Sequence, residues 1–200
     1  MAGILIFGSG SHAKALLENA LHSFGDAAFI AHDETYGKML GCHVYPRSAI
    51  ERLHEQYAFA IAAVGDNTLR AERFGELLHA GFEPAVLIHP TAYVSRFAYI
   101  GGGSAVLAGA AVNACARIGR NCIINTGAIV EHDCIIGANT HISPGAVLGG
   151  GVHVGRGSWV CMGALIAPRT DIGEHCVIGA GSIVLSDVAP HTRVHGLIKP

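Results

Sequence analysis

Aliphatic residues recur at an interval of six throughout 94–184: Val94, Ile100, Val106, Val112, Ile118, Ile124, Val130, Ile136, Ile142, Leu148, Val154, Val160, Ile166, Ile172, Ile178 and Val184. These sixteen consecutive positions contain no insertion, and all but Leu148 are β-branched. Two residues before each, the side chain is mostly small, as at Ala98, Ser104, Ala110, Cys122, Cys134 and Cys176. The residue after is often glycine, as at Gly101, Gly119, Gly137, Gly149 and Gly173. A helix needs apolar spacings of three and four, and a half-buried strand an alternation of two. A strict six matches neither. It predicts short strands joined by tight turns, each repeat sending one large and one small side chain inward: the hexapeptide β-helix signature. Three repeats make one triangular coil, so the run supplies about five coils.

Upstream the pattern changes. Residues 3–7 read as a buried strand, broken by Gly8-Ser9-Gly10-Ser11-His12, and 13–24 has helical periodicity (Leu16, Leu17, Ala20, Leu21, Phe24). Further strands are expected over 27–31, 41–45, 59–64 and 85–88, with helices over 47–56 and 68–79. This alternation is a small open parallel sheet flanked by helices. Amides at the first helix start are a natural seat for phosphate, and Asp33, after the second strand, can hydrogen-bond a ribose. The full G-x-G-x-x-G is absent, so a tight turn without a ligand stays open as a reading. At Pro90 helix formers and charges give way to Gly, Ala, Val and Ile, which sets domains at 1–90 and 91–200. Residues 186–200 read as a tail beyond the repeat.

Composition narrows the function. Only 14% of residues are charged and the net charge is −2, without a basic block, which argues against nucleic acid or a membrane surface. No stretch approaches the ~20 apolar residues of a membrane span. The N-terminus lacks the basic region of a signal peptide, so a cytoplasmic location is expected. Six cysteines have no paired spacing, and Cys122, Cys134 and Cys176 sit at small inward positions, as buried thiols.

Of thirteen histidines, those within the solenoid are His132, His141, His153 and His175, and all should face out or sit at corners. His153 and His175 read as inert. His132 differs because Glu131 and Asp133 flank it. A carboxylate on one imidazole nitrogen fixes the tautomer and leaves the other as a base near neutral pH.

The stretch 123–137, holding Asn125-Thr126 and Glu131-His132-Asp133, followed by His141-Ile142-Ser143-Pro144-Gly145, resembles the sialic acid and amino-sugar O/N-acetyltransferase family. Gly8-Ser9-Gly10-Ser11-His12-Ala13-Lys14, Val64-Gly65-Asp66-Asn67 with Arg70, and Leu87-Ile88-His89-Pro90 match it too, so the similarity spans nearly the whole chain. The resemblance implies a small Rossmann-like domain followed by a left-handed parallel β-helix. It implies acetyl transfer from acetyl-CoA, without a metal, to a nucleotide-linked amino sugar. O-acetylation of sialic acid or another surface sugar is the alternative. His132 would be the general base, oriented by Asp133 or by Glu131. Asn125 would lie near the acceptor sugar and His141 near the thioester. Gly150 and Ala180 would offer amides to the coenzyme, and Met162 would line the pantetheine slot. Gly8, Gly10 and His12 would lie near phosphate, and Asp33, Asp66 and Asn67 near ribose or base. The implied assembly is a homotrimer with sites between subunits.

The chain departs from that family in places. Ser11 and Ala13 replace two glycines, and His32-Asp33 stands for the usual paired acid. Val194-His195-Gly196-Leu197-Ile198 replaces a Gly-x-Pro-Ala tail. Two other readings are a γ-type carbonic anhydrase, which needs three histidines to converge, and a non-catalytic scaffold. The offsets of His132, His141 and His153 put them on different faces, which argues against the former. The Glu-His-Asp cluster argues against the latter.

Overall fold

The computed structural model describes residues 3–199; Met1, Ala2 and Pro200, at the outer ends of the expected 1–90 and 91–200 domains, lie outside the described residues. The chain divides into two compact units, Met1–Leu87 and Ile88–Pro200.

The first unit runs β1 (Ile4–Phe7), α1 (Ser11–Phe24), β2 (Ala27–Ile30), β3 (Gly37–Met39), β4 (Cys42–Tyr45), a 3₁₀ turn over Arg47–Ala49, α2 (Ile50–Leu53), β5 (Phe59–Ala62), α3 (Asn67–His79) and β6 (Glu83–Pro84). Strand order is β3-β4-β2-β1-β5-β6. β1 and β2 are buried along their whole length, as continuous apolar strands in a covered parallel sheet must be. Because β2 and β5 flank β1 on opposite sides, the loops after these strands diverge and open a crevice at their carboxyl ends. Three departures from the sequence reading stand out. β3 pairs antiparallel with β4, so the sheet is mixed. The helix expected over 47–56 shrinks to a 3₁₀ turn and four residues, closed where the Tyr57 N–H returns to the Leu53 carbonyl. The strand expected over 85–88 is only Leu87–Ile88 and belongs to a sheet of the solenoid, while the first sheet ends upstream of that range at Glu83–Pro84.

The second unit is a three-sided prism. Two-residue rungs of parallel strand stack into three sheets of seven, seven and five strands, each containing every third repeat. The first face carries Ile123–Ile124, His141–Ile142 and Trp159–Val160 in succession. The second carries Ile129–Val130, Val147–Leu148 and Leu165–Ile166, and the third Ile135–Ile136, His153–Val154 and Asp171–Ile172. The six-residue aliphatic column fills the interior: Val106 to Val184 are buried, and Val94 and Ile100 pack against them at the open end. The tail does not stop at Val184. Arg193–Val194 and Leu197–Ile198 add rungs to the first and second faces, and Val188 bridges to Ile172 on the third. The last full coil offers unpaired backbone groups along each edge, and the tail covers them.

Two different demands select glycine. At Gly119 an added Cβ would lie 2.6 Å from the backbone nitrogen of Ala138 in the next coil, and at Gly137 it would come closer still to the backbone nitrogen of Arg156. These glycines, directly after the aliphatic position, let coils stack. A second column, every sixth residue from 103 to 181, has positive φ at each corner. Cys115, Asn121, Asp133, Asn139, Arg169 and His175 hold that left-handed conformation without being glycine.

The outward residues of the second face are all apolar: Tyr93, Ala111, Ile129, Val147, Leu165, Ile183 and Leu197. Tyr93, Leu165, Ile183 and Leu197 are exposed. The third face instead carries Arg117, His153 and Asp171.

Ile136→Asp places a carboxylate in the filled column, where an unpaired charge costs several kcal/mol. We expect cooperative loss of several coils, seen as a large fall in the thermal midpoint by circular dichroism. A normal melt would contradict the inward assignment. Gly119→Ala should destabilise through the clash with Ala138.

Candidate active site

His132 stands on the edge between the second and third faces, in the turn after Ile129–Val130. Its Nδ1 lies 2.7 Å from Asp133 Oδ2. The carboxylate can only accept there, so Nδ1 is the donor, and in the neutral tautomer this selects Nε2 carries the lone pair. Asp133 reaches the ring from a left-handed backbone (φ 60°), a conformation aspartate tolerates better than most residues. Glu131 is used differently: its Oε2 accepts the main-chain N–H of His132 at 3.2 Å. Asp133, not Glu131, contacts the imidazole. One coil on, the ring lies against Gly150, where a Cβ would come within 2.6 Å of both Nε2 and Cε1. The fold thus brings together His132, Asp133 and the Gly150 backbone. Pro168, one further coil along the same column, has no N–H, so stacking does not require an amide at this position.

A second group lies along the first face and its edge with the second. His141 points outward yet is only 7% exposed. Its Nε2 is 3.0 Å from Asn125 Nδ2. Asn125 Oδ1 accepts the Thr126 N–H at 2.8 Å, which orients the amide so that its NH₂ donates to His141. The imidazole is stacked on Trp159, with centroids 5.7 Å apart and planes 5° from parallel. Trp159 in turn donates Nε1–H to Ser143 Oγ at 2.7 Å. Met162 and Ala180 follow on the same edge, one coil apart, joined by the Gly181 N–H to Met162 carbonyl bond. Trp159 and Ser143 escaped the sequence reading. Only their eighteen-residue offset from His141 and Asn125 pointed to them.

These two groups do not meet within one chain. His132, Asp133 and Gly150 occupy one edge of the second face; Asn125, Met162 and Ala180 occupy the other, with His141 beside them. His153 lies on the third face, paired with Asp171 at 3.2 Å, and His175 stacks on His191. His132, His141 and His153 therefore sit on three different sides of the prism. Among the described residues no group of three or more His, Cys, Asp or Glu could hold a metal ion.

In the first unit the predicted residues gather around the carboxyl ends of β1, β2 and β5. Gly8 is required by packing, since a Cβ there would lie 2.6 Å from the Ala63 carbonyl oxygen. Gly10 faces open space and caps α1 without a side-chain hydrogen bond. Ala13 is buried and Ser11 exposed. Burial, reinforced by the nearby Arg70 charge, lowers His12 to about 4, so this imidazole is neutral at pH 7. The fixed positive charge beside the turn is Arg70, which is buried and donates to the carbonyls of Val64 and Gly65 and to Asn67 Oδ1. Asp66 Oδ1 caps α3 by accepting the Leu69 N–H at 2.8 Å. Asp33 Oδ1 accepts the Thr35 N–H at 2.8 Å, and hydrogen bonds from Thr35 hold its carboxyl below the usual range. A cavity of about 380 Å³ lies between α2 and α3, and one of about 270 Å³ is lined by Ser9, Thr35, Tyr36, Lys38 and Val44. No helix among the described residues is long and apolar enough to cross a membrane.

Comparison with known proteins adds to this geometry. The family model for the bacterial transferase hexapeptide (six repeats) matches residues 115–150 and 151–186, and the PglD N-terminal domain model matches residues 3–77. No curated protein sequence matches the chain. A perosamine N-acetyltransferase from Caulobacter crescentus, solved with CoA and GDP-perosamine, is 38% identical, with 98% of this chain and 94% of that chain covered and a TM-score of 0.93. The acetyltransferase domain of PglB from Neisseria gonorrhoeae is 35% identical over 98% and 97% of the two chains, with a TM-score of 0.92. WeeI from Acinetobacter baumannii shares the fold at 20% identity and a TM-score of 0.83, over 98% and 97%.

Two measurements probe these arrangements. Gly150→Ala should displace the His132 ring while leaving the coil folded, read as a shifted imidazole NMR signal with a small change in melting. Because the folded His12 is held near 4, below its ordinary 6.5, the unfolded chain binds that proton more tightly. Stability should be complete above about pH 6.5, decline as pH falls, and level off below about 4. His12→Gln should flatten that dependence in a pH series of melts.

Proposed function

This chain belongs to the hexapeptide-repeat amino-sugar acetyltransferases, and from that premise we propose that it transfers acetyl from acetyl-CoA to the amine of a nucleotide-linked amino sugar. One observation carries the reading: His132, with Nδ1 bonded to Asp133 and Nε2 held against Gly150, is a base beside open backbone. Acetyl-CoA supplies an activated carbonyl that an amine attacks without a covalent enzyme intermediate. His132 Nε2 takes the proton that the amine must lose, and Asp133 stabilises the resulting imidazolium; as the C–N bond forms the thioester C–S bond breaks, and the departing CoA thiolate takes that proton from His132 and leaves as the thiol. Gly150 offers an amide where negative charge develops on the acyl oxygen. Asn125 and His141 form a polar platform, Met162 an apolar wall, and Ala180 a further amide for the coenzyme. The carboxyl edge of the first unit takes the nucleotide: the Gly8–Gly10 turn lies toward phosphate, and Asp33, Asp66 and Asn67 toward ribose or base. A cytoplasmic location fits this reading, because acetyl-CoA and nucleotide-linked sugars are cytoplasmic metabolites.

The two half-sites call for more than one copy. Each flanks the same apolar face, at opposite edges. When three prisms turn that face toward a common parallel axis, the His132 edge of one meets the Asn125–Met162–Ala180 edge of the next at equal height. A homotrimer therefore completes three sites and buries the Tyr93–Leu197 stripe.

The test is CoA-thiol release with UDP-, GDP- and dTDP-linked amino sugars, alongside free and CMP-linked sialic acid. We expect turnover with one amino-sugar nucleotide, and a loss of about 10²–10⁴-fold in His132→Ala with coenzyme binding kept. Turnover with sialic acid alone would move the reaction to an oxygen acceptor. Full activity of His132→Ala, or no coenzyme binding, would sink the proposal. By light scattering the wild type should have three times the chain mass. Leu165→Arg, which buries an unpaired charge in the interface, should lower that mass and the activity together.

A further inference from the structure

The first face carries a polar chain that coil stacking does not require. The backbone ladder and the inward column already join the coils, yet on the outside Asn125, His141, Ser143 and Trp159 interlock across three successive rungs. His141 lies between Ile123 and Trp159 in one column, with the indole nearly parallel to its imidazole. The indole N–H reaches back to Ser143 Oγ, in the coil that carries His141, and this bond draws the indole onto the imidazole. Trp159 is the chain's only tryptophan and stays 39% exposed, so it does not serve to fill the interior.

Counting donors and acceptors fixes the amide at the other end. Asn125 Oδ1 accepts both the N–H and the hydroxyl of Thr126, at 2.8 and 3.4 Å. Its NH₂ therefore faces His141, and Nε2 is the acceptor, which selects the neutral imidazole with its hydrogen on Nδ1. Protonating Nε2 would set donor against donor, and flipping the amide would set its NH₂ against the Thr126 N–H. With Oδ1 and one N–H engaged, Asn125 has among the described residues one N–H left for a ligand. Its direction is fixed only while the His141 ring is fixed.

Resting on the transferase reading above, we propose that Trp159 is a positioning residue of acetyl transfer: through its stack on His141 and the His141–Asn125 bond it aims the one amide N–H left to meet an oxygen of the substrates. Trp159 itself touches neither substrate in this role, and Ser143 is its anchor. A donor aimed in advance by strand residues needs no reorganisation when the substrates arrive.

The test combines steady-state kinetics, calorimetric titration with acetyl-CoA and nitrogen-15 NMR of the histidine rings, on the full chain. The kinetics use the amino-sugar nucleotide that the wild type turns over in the panel above. Trp159→Leu should lower kcat by about tenfold to a hundredfold, as misplacing a reacting partner does, and leave KM and the affinity for acetyl-CoA unchanged. The His141 signals should change from one tautomer in the wild type to a mixture in Trp159→Leu. Trp159→Phe, which keeps a ring over His141 but loses the bond to Ser143, should recover most of the lost kcat and the single tautomer. Unaltered melting would show that the coils still fold. Wild-type kcat in Trp159→Leu, or a fall in kcat with His141 signals unchanged, would overturn the positioning role and leave the transferase reading standing. A loss of acetyl-CoA affinity as large as the loss of kcat would make Trp159 a coenzyme contact and overturn the role equally. A single tautomer kept in Trp159→Leu overturns it without any acceptor. If the wild type neither binds acetyl-CoA nor turns over, both readings fall.

Discussion

Everything in the second unit depends on one coil lying directly on the next. The ladder joins each rung to the rung eighteen residues away, as Ile135 N–H to the Val152 carbonyl and Gly137 N–H to the Val154 carbonyl. At a strand spacing of about 4.8 Å there is no room for side chains between turns. Glycine follows the aliphatic position for that reason, and the interior fills with one branched and one small residue per repeat. The buried thiols obey the same constraint: Cys122, Cys134 and Cys176 occupy the small position and point Sγ at a neighbouring carbonyl.

Stacking also sets the chemistry. Residues eighteen apart become vertical neighbours, so His132 finds Gly150 above it and His141 finds Trp159. Neither pair is adjacent in sequence, and neither depends on a mobile loop. A base held by its own neighbour Asp133 on a corner of a rigid prism needs little reorganisation to act. In the first unit the same economy appears around β1, where Arg70 braces the 64–67 turn through backbone carbonyls and Gly8 admits the close pass of Ala63.

Much of this was legible in the sequence, because a six-residue period is a statement about geometry. The inward column and the small position follow from it, and the Glu131–Asp133 cluster is read directly from the residues that flank His132. Other features were hidden for physical reasons. The tail rungs were missed because Val184, Val188, Val194 and Ile198 are spaced four, six and four apart, which breaks the period while keeping the coil. The left-handed corners were obscured by non-glycine residues such as Cys115 and Asp133. The β3–β4 hairpin lacked an alternating apolar signal: Lys38 and His43, paired across it, are both exposed. The stack of Trp159 on His141, and the choice of Asp133 over Glu131 as ring partner, are matters of side-chain direction that no spacing encodes.

The eighteen-residue register has a consequence for how such a chain can change length. Insertion or loss of a single hexapeptide would leave the interior perfectly packed, since every repeat is interchangeable there. It would also rotate all that follows by one face. A hexapeptide added between Gly151 and Met162 would carry Met162, Ala180 and the tail off the edge shared with Asn125. Only a change of eighteen residues, a whole coil, preserves their azimuth, and that would lengthen the distance along the edge by one step. Such a solenoid tolerates indels structurally in units of six but functionally in units of eighteen, so its length is a quantised variable.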